Sequence, residues 1–453
     1  MLKILQTAAI VRRLAIPVLA LAIILPCSAT AATLSTLYSF TGLEDGGFPE
    51  AGLVLSSTGA VYGTTSTGAT GWGSVFELAP SNGGTTWTET AIYDFTGGAD
   101  GGTPVADLAI GKGTILYGTT YNGGAHGYGT VFQLSPKTGG GWTQKVLYSF
   151  TGGADGANPA AGLAILSSNG VLYGTTYGGG SAGYGAVFEM TPSANGWSEK
   201  VLYSFQSGTD GANPVADLVI GTGGTLFGTT SQGGSITITN EPPSCTTTTP
   251  CVEPAWGTVF ALTPKGGGAW TESVLYTFTG ASDGGTPEAA LLATKSNVLY
   301  GSTFWGGKTT ACPVGDYPQG CGTVFELSLP TGSETWTETV LYAFTGHSPD
   351  GAHPYGKLGI SASGELFGTT FAGGANVDDC MPDSYTGCGT IFYVKPPATP
   401  GGVWTKNNII AFPGSPGGGM PNGLVIGTSG TMYGTTNLGG NTGGYGTVFE
   451  MKF

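Results

Sequence analysis

The chain has 453 residues, of which 28 are acidic, 14 are basic and 84 are glycine, and its formal net charge is −14. Such an acidic surface repels phosphate backbones and argues against nucleic acid as a partner. An aromatic content of 11% excludes a disordered chain, because disordered chains lack aromatic residues. The abundant glycine indicates many tight turns between short strands.

The N-terminal segment differs in composition from the rest of the chain. It carries three basic residues, an apolar stretch at 14–25 and the small residues "ATA" at 29–31. This order predicts a signal peptide over residues 1–31, cleaved after Ala31, and therefore a secreted or periplasmic protein. Attachment of a lipid at Cys27 is the alternative, which the proline before this cysteine disfavours.

Removal of this segment makes the chain more acidic. The mature chain would keep 11 basic and 28 acidic residues, a net charge of −17, which favours solubility outside the cell. No other stretch is apolar enough to cross a bilayer, since a spanning helix needs about 20 apolar residues. We therefore expect no transmembrane anchor in the mature chain.

A motif with the consensus Tyr-Gly-Thr-Thr recurs along the chain. Its first three intervals are 55, 56 and 54 residues, and insertions lengthen the later ones. A repeat of this length indicates a propeller or another repeat array. The seven copies begin at Tyr62, Tyr117, Tyr173, Phe227, Tyr300, Phe367 and Tyr433.

Three further motifs keep the same period: "GLVLS"-like segments before this motif, "GTVFEL"-like segments after it, and "LYSF"-like segments that close the unit. All are rich in β-branched and aromatic residues and bounded by turn residues, which is typical of strands. Four strands in each of seven repeats predict an all-β fold, a seven-bladed β-propeller of four-stranded antiparallel blades. Six tryptophans that begin fourth strands are predicted to pack between blades: Trp87, Trp142, Trp197, Trp270, Trp336 and Trp404.

The two ends of the mature chain are complementary parts of one blade. The chain enters at a fourth-strand motif, "LSTLYSF" (34–40), and ends at a third-strand motif, "GTVFEMKF" (446–453). The N-terminal strand is therefore expected to complete the last blade, so that no sheet edge stays open. Residues 32–453 are predicted to form a single propeller, with loop insertions near 235–255, 308–321 and 375–388.

The glycine-rich loop of the third repeat, within "VLYGTTYGGGSAGYGAVFEM" (171–190), resembles a phosphate-binding loop. A phosphate loop needs a following helix, whose N-terminus receives the anion, but here a strand motif follows. The segment "GGSAG" around Ser181 matches the pattern of a nucleophile elbow, which also requires a following helix. We therefore interpret the glycines as turn residues.

A second recurrent feature is the pattern Asp-Gly-x-x-Pro on the link between blades. Asp accepts backbone hydrogen bonds in a turn and Pro stiffens the exit, which favours a structural turn. The alternative is a calcium site, because calcium takes carboxylate oxygens. The six aspartates are Asp45, Asp100, Asp155, Asp210, Asp283 and Asp350. We assign no other cofactor and no other metal.

Six cysteines follow the N-terminal segment, as three local pairs in loop insertions of the fourth, fifth and sixth repeats. In an exported protein, such pairs indicate disulfides. Fifteen connectivities are formally open for six cysteines, and the local one fits best. The predicted pairs are Cys245 with Cys251, Cys312 with Cys321, and Cys380 with Cys388.

Aromatic residues favour two positions in the loop between the second and third strands. Repeats two and three carry both, and their loops are the shortest. Packing is the first interpretation of these rings, and stacking on sugars is the alternative. The candidate ligand-binding residues are Tyr121, Tyr128, Tyr177 and Tyr184.

The repeat units resemble the GloVer-type tandem repeats of exported bacterial proteins. The segments that carry the resemblance are "LYSFTGGADGANPAAGLAI" (147–165) and "LYGTTYGGGSAGYGAVFEM" (172–190), with their counterparts in the other repeats. The resemblance implies export and tandem repeats, without an agreed activity. Members often carry a C-terminal anchoring segment, which we expect to be missing here because the sequence stops at Phe453 within a strand motif.

These observations predict an exported monomer that serves as a binding or structural module for a polysaccharide or an extracellular protein. The rival hypothesis is a carbohydrate-active enzyme, a hydrolase or lyase. Such an enzyme would need one or two carboxylates placed unequally among the repeats. The acidic residues are mostly repeated, with Asp378, Asp379 and Asp383 as the exceptions in the sixth insertion. The sequence assigns no catalytic residue.

Overall fold

A computed structural model describes residues 32–237, 252–254, 256–294, 298–307, 312, 320–374, 380, 387–399, 401–427, 430–440 and 443–453. Several predicted features lie outside these residues: the signal peptide, the Cys245–Cys251 pair and the three aspartates of the sixth insertion. The described residues form thirty strands and three short 3-10 turns, and no helix among them could cross a membrane. The 3-10 turns are Asn82–Gly84, Lys112–Thr114 and Thr222–Gly224.

The strands form seven antiparallel four-stranded sheets, the blades of a ring. The first strand of the described part is β1 (Thr33–Ser39). Blade 1 contains β2 (Val54–Leu55), β3 (Val61–Thr65), β4 (Ser74–Ser81) and β5 (Thr86–Asp94). Blade 2 contains β6 (Ala109–Ile110), β7 (Leu116–Thr120), β8 (Thr130–Pro136) and β9 (Trp142–Ser149). Blade 3 contains β10 (Ala164–Leu166), β11 (Val171–Thr176), β12 (Ala186–Ser193) and β13 (Gly196–Ser204).

The later blades follow the same order. Blade 4 contains β14 (Val219–Ile220), β15 (Leu226–Thr230), β18 (Thr258–Pro264) and β19 (Trp270–Thr277), and its insertion carries the hairpin β16 (Ser235–Thr237) and β17 (Val252–Pro254). Blade 5 contains β20 (Leu292–Ala293), β21 (Val298–Thr303), β22 (Thr323–Ser328) and β23 (Thr337–Ala343). Blade 6 contains β24 (Gly351–Ile360), β25 (Leu366–Gly373), β26 (Thr390–Lys395) and β27 (Thr405–Ala411). Blade 7 contains β28 (Gly419–Ile426), β29 (Met432–Leu438), β30 (Thr447–Lys452) and β1.

The predicted ring closure is confirmed. Strand β1 pairs antiparallel with β30, from Thr33 opposite Lys452 to Ser39 opposite Thr447. Blade 7 then meets blade 1, where the hydroxyl of Thr435 donates a 2.6 Å hydrogen bond to the carbonyl oxygen of Ala51. The N-terminal strand therefore covers the edge that β30 would otherwise expose.

Each boundary between blades is filled by two phenylalanine rings in an edge-to-face contact. One ring comes from the fourth-strand motif of a blade and the other from the third strand of the next blade, with centroids 5.0–5.2 Å apart. All fourteen rings are fully buried. The pairs are Phe40–Phe76, Phe95–Phe132, Phe150–Phe188, Phe205–Phe260, Phe278–Phe325, Phe344–Phe392 and Phe412–Phe449.

The recurrent Tyr-Gly-Thr-Thr motif is explained by this packing, as the second repeat illustrates. The Tyr117 ring meets Trp197 of the next blade edge-to-face, with centroids 5.8 Å apart. A Cβ atom on Gly118 would lie 2.6 Å from the Phe132 ring. The glycine is therefore required for close approach of the buried ring. The other five tryptophans of the fourth strands make the equivalent contact, so their predicted packing between blades is confirmed.

The hydroxyl groups of the two threonines of the motif form hydrogen bonds to the backbone of the next blade and to a threonine of the neighbouring strand. The Thr119 hydroxyl donates to the carbonyl oxygen of Ala161 in the next blade at 2.8 Å. The Thr120 hydroxyl lies 2.9 Å from that of Thr130 and accepts the Thr130 N–H at 3.1 Å. Both threonines are buried, and buried hydroxyls need such partners.

The interblade links and the loops between second and third strands lie on one face, which we call the loop face. They pair directly by backbone bridges, for example Gly102 with Asn122 and Ala157 with Gly178. The disulfides Cys312–Cys321 and Cys380–Cys388 fix insertions of these loops, as predicted.

Ring closure is testable by removal of its buried anchor. Phe40→Ala should lower the free energy of unfolding by about 3–5 kcal/mol, because the ring is fully buried between blades 7 and 1. Leu43→Ala, whose side chain is 70% exposed, is the matched control and should change stability little. Deletion of residues 32–40 should promote aggregation. Denaturant titrations in which Phe40→Ala and Leu43→Ala behave alike would contradict the closure.

The disulfides should stabilise their loops rather than the ring. They close loops of nine and eight residues, each worth about 2.5 kcal/mol on the chain-entropy model. Paired Cys→Ala variants at 312/321 and 380/388 should keep the far-ultraviolet circular dichroism of the wild type. They should gain proteolytic cleavage only within the insertions. Loss of the strand signal in either variant would show that the disulfides support the ring itself.

Candidate functional site

The glycine-rich loop of the third repeat is a turn between two strands. It runs from the end of β11 at Thr176 to the start of β12 at Ala186, with positive φ angles at Gly179, Gly180 and Gly183. No helix follows it, so it lacks the N-terminus that a phosphate-binding loop requires. The sequence interpretation of these glycines as turn residues agrees with this geometry.

Each of the six recurrent aspartates accepts hydrogen bonds from its own turn. Asp155 accepts the Tyr148 hydroxyl at 3.0 Å, the Thr151 N–H at 2.8 Å and the Thr151 hydroxyl at 2.5 Å. These bonds contribute to lowering the pKa of Asp155, against the opposing effect of its burial. The described residues contain no group of three or more His, Cys, Asp or Glu that could hold a metal. The other five aspartates likewise accept hydrogen bonds from a tyrosine hydroxyl and from a backbone N–H of the turn. They are Asp45, Asp100, Asp210, Asp283 and Asp350.

A glutamate from the next blade faces four of these aspartates. Burial and then the charge of the neighbouring aspartate raise the pKa of each to about 7. In each, the Oε1 atom is buried without a hydrogen-bond partner among the described residues. The four are Glu89 beside Asp45, Glu199 beside Asp155, Glu272 beside Asp210 and Glu338 beside Asp283.

Two repeats replace this glutamate. Gln144 donates a 3.2 Å hydrogen bond to the Asp100 carbonyl oxygen, and Lys406 forms a 2.5 Å ion pair with Asp350. The charge of Lys406 lowers the pKa of Asp350, although burial opposes this effect. The position therefore tolerates neutral, protonated or cationic side chains, which marks it as a packing position at the blade boundary.

Three aromatic rings of the loop face are exposed in successive blades. Trp72, Tyr128 and Tyr184 have exposed fractions of 42–45%. Behind them lies the backbone of the adjoining link: Cβ atoms on Gly97 and Gly152 would fall 2.2 Å and 2.6 Å from the rings of Trp72 and Tyr128. Both glycines have positive φ. These links therefore brace one side of a ring and leave part of it open to solvent.

Tyr121 and Tyr177, the other two tyrosines predicted from the sequence, are half-buried. Burial and the neighbouring Tyr177 raise the pKa of the Tyr121 hydroxyl, so the structure brings these two side chains close together. Tyr128 and Tyr184 differ from them in exposure. The four predicted tyrosines thus form an inner, half-buried pair and an outer, exposed pair.

The central channel contains charged residues that sequence reasoning missed. Its larger cavity has a volume of about 580 Å³, with mainly Leu, Val and Ile walls, and a smaller cavity of about 70 Å³ shares part of its lining. The charged and phenolic lining residues are at the first and third positions after the proline of a link. A comparison of the repeats at these two positions would have found the charged and phenolic side chains: Glu50, Asp107, Asp217, Glu288, Tyr355 and Lys357.

Asp107 and Asp217 lie deep in the channel and bind the backbone of a neighbouring blade. Asp107 accepts the Gly52 N–H at 2.6 Å, and Asp217 accepts the Gly162 N–H at 2.6 Å. Burial raises the pKa of both carboxyls, and the charge of Asp217 raises that of Asp107 further. The Lys357 ammonium opposes these effects, so the three side chains form one electrostatic group.

The smaller cavity is lined by Glu50, Glu288 and Tyr355. Burial raises the pKa of Glu288 to about 7. Burial, followed by the charges of Glu288, Glu50 and Asp107, raises the pKa of the Tyr355 hydroxyl, which therefore stays protonated. Within the described part of the chain, none of these three side chains has a hydrogen-bond or ion-pair partner.

Comparisons with known proteins place the repeat in a family. The sequence model of the Gloeobacter/Verrucomicrobia repeat matches residues 24–239 and 245–453. No curated protein matches the sequence.

Several solved propellers resemble the fold. A gluconolactonase from Xanthomonas campestris is 14% identical with a TM-score of 0.36, over 72% of this chain and 82% of its own. Trypanosoma rangeli sialidase is 12% identical with a TM-score of 0.40, over 94% and 59%. An ancestral GH74 enzyme is 10% identical with a TM-score of 0.45, over 86% and 56%. These low scores support no conclusion on substrate or activity.

The glutamates at the blade boundaries should make the fold less stable at higher pH. Their folded pKa of about 7 exceeds the ordinary 4.5. Their stabilisation is therefore complete below about pH 4.5 and is lost as the pH rises through about 7. We expect the melting temperature to fall between pH 5 and pH 8.

Glutamine at positions 89, 199, 272 and 338 should reduce this fall, because it cannot ionise. The reverse variant Gln144→Glu adds a fifth glutamate–aspartate pair and should make the fall in melting temperature with pH steeper. Scanning calorimetry at four pH values would measure both slopes. Equal slopes in the wild type and in the fourfold glutamine variant would refute the assignment.

Proposed function

The chain belongs to the Gloeobacter/Verrucomicrobia repeat family, and we propose that this member is an exported propeller that binds carbohydrate on its loop face. The row of exposed aromatic rings Trp72, Tyr128 and Tyr184 is the observation that carries the proposal. Large exposed rings at equivalent positions of neighbouring blades mark a recognition surface rather than scattered surface residues.

The fixed orientation of the rings favours binding of an extended ligand. Trp72 and Tyr128 rest against link glycines, so a ligand would lose little side-chain entropy when it stacks on them. Aromatic rings with a polar tip suit sugars, which present an apolar face and hydroxyl groups. Three rings in successive blades would contact several residues of a polysaccharide chain.

Tyr121 and Tyr177 would bind the same ligand by a different kind of contact. They are half-buried and close to each other, so their exposed surface is smaller than that of the outer pair. We propose that they bind through their hydroxyl groups rather than through ring faces. Loss of the hydroxyl groups alone would then weaken binding.

Export is supported by the two disulfides of the described residues, which persist in oxidising compartments. The acidic composition would keep such a protein soluble and disfavour polyanionic ligands. A neutral or cationic polysaccharide is therefore the preferred partner, and an extracellular protein is the alternative that the same aromatic row would accept.

A carbohydrate-active enzyme is the second candidate function. One observation favours it: Glu50, Asp107, Asp217 and Glu288 are placed unequally among the repeats and line the channel. An enzyme of this kind would use one carboxyl group as an acid and another as a base or nucleophile. Cleavage of a glycan that also binds to the loop face would distinguish the enzyme from the module.

A polysaccharide array with the purified protein tests the proposal. The combined variant Trp72→Ala, Tyr128→Ala and Tyr184→Ala should lose at least about tenfold in affinity, because each aromatic contact is worth about 0.5–1.5 kcal/mol. Tyr121→Phe with Tyr177→Phe should weaken binding less. Val403→Ala, whose side chain is 83% exposed in another loop, is the matched control.

Calorimetric melting should show that all these variants fold. If the wild type binds no glycan on the array, or if the aromatic variants bind like Val403→Ala, the proposal is wrong. Product analysis of the same incubations by mass spectrometry detects cleavage and so tests the enzyme.

A further inference from the structure

The charged residues of the central channel break the repeat. At the first position after the link proline, Glu50 and Glu288 stand where blades 2, 3 and 4 carry Val105, Ala160 and Val215. Apolar residues of this size satisfy the packing of the ring, so packing does not require a glutamate here. A charge placed at only some equivalent positions needs another explanation.

The channel has an excess of negative charge. Among the described residues that line it, four carry carboxyl groups, and Lys357 carries the one ammonium group. Lys357 opposes the raised pKa of Asp107 and of Asp217, so its single charge offsets only part of the negative charge of that layer. Glu50 and Glu288, nearer the loop face, add two further carboxyl groups to this excess, and a confined anionic site attracts a cation.

Tyr355 adds an independent observation. Its hydroxyl lines the same cavity as the two glutamates and has no hydrogen-bond partner within the described part of the chain. A hydroxyl group that no described protein group binds is available to a ligand in the cavity. Its ring belongs to an aromatic cluster, with Phe371 at 6.3 Å and Phe304 at 6.4 Å between centroids, so the tyrosine is held in place.

We propose that the channel is a binding site for a small primary amine, with Glu50 and Glu288 as counter-ions and the Tyr355 hydroxyl as hydrogen-bond acceptor. The smaller cavity, of about 70 Å³, has room for an ammonium group. The larger cavity, lined by Leu53, Leu163 and Leu218 among others, accepts the alkyl part of the same molecule. This site does not depend on glycan binding at the loop face.

Isothermal titration calorimetry at pH 8 with n-pentylamine as the probe tests the site. The amine should bind, and 1-pentanol, which has the same alkyl chain without the charge, should bind at least tenfold more weakly. Glu288→Gln and Glu50→Gln should each weaken binding of the amine at least tenfold. Lys357→Met should strengthen it, because a repelling charge is removed.

Tyr355→Phe, which keeps the ring and removes the hydroxyl, should weaken binding severalfold. Glu334→Gln changes an exposed glutamate in the loop between the third and fourth strands of blade 5 and should leave affinity unchanged. Circular dichroism establishes folding of each variant, and the two separate glutamine variants keep the test decisive if one of them unfolds.

Equal binding of pentylamine and pentanol would overturn the proposal, as would the absence of amine binding. Weaker binding by Lys357→Met would also overturn it, since it would mean that the ligand offers a negative or hydrogen-bond-accepting group to the lysine. Glycan binding at the loop face can succeed or fail independently of these results, so the two proposals are distinguishable.

Discussion

The edge-to-face phenylalanine pair at each blade boundary is the contact on which the rest of the structure depends. One ring of each pair belongs to the fourth-strand motif of a blade and the other to the third strand of the next, as in Phe95–Phe132 and Phe150–Phe188. A single blade therefore cannot bury its own aromatic residues, and an open row of blades would leave one ring exposed at each end. The ring must close, and Phe40 with Phe76 closes it. The antiparallel pairing of β1 with β30 follows from this requirement.

This packing explains why most of the repeated sequence carries no information on function. The glycine of the Tyr-Gly-Thr-Thr motif makes room for a phenylalanine, and its threonines satisfy buried backbone and hydroxyl groups. The recurrent aspartate, exemplified by Asp155, binds its own turn. A residue that recurs in seven repeats is best explained by a requirement that recurs seven times. Chemistry directed at one ligand needs the opposite, a residue present in one or two repeats, and the channel glutamates Glu50 and Glu288 have this property.

The sequence predicted the strands, the blade number, the ring closure and the two described disulfides, because these depend on short motifs and on their order. It did not predict the channel site, because no motif shows which residue after the link proline points to the axis. That direction depends on how the seven blades assemble around the channel. The partnership of Glu89 with Asp45 was missed for a related reason. The two residues come from different blades, and only the ring brings a fourth strand beside the previous link. The exposure of Trp72 was also not predictable, because it depends on the position of Gly97 in the next link.

Acidic residues that recur in the repeats and those that occur in only some repeats thus differ in the charged groups around them. At the blade boundaries, a buried glutamate beside an aspartate is replaced by Gln144 in one repeat and by Lys406 in another, so the charge itself is dispensable there. In the channel, Lys357 offsets part of the charge of the aspartates that bind backbone N–H groups, while neither glutamate has an ion-pair partner among the described residues. The channel thus places two carboxyl groups that occur in only some repeats beside the hydroxyl of Tyr355. The proposed cationic ligand would supply the counter-charge for these two side chains.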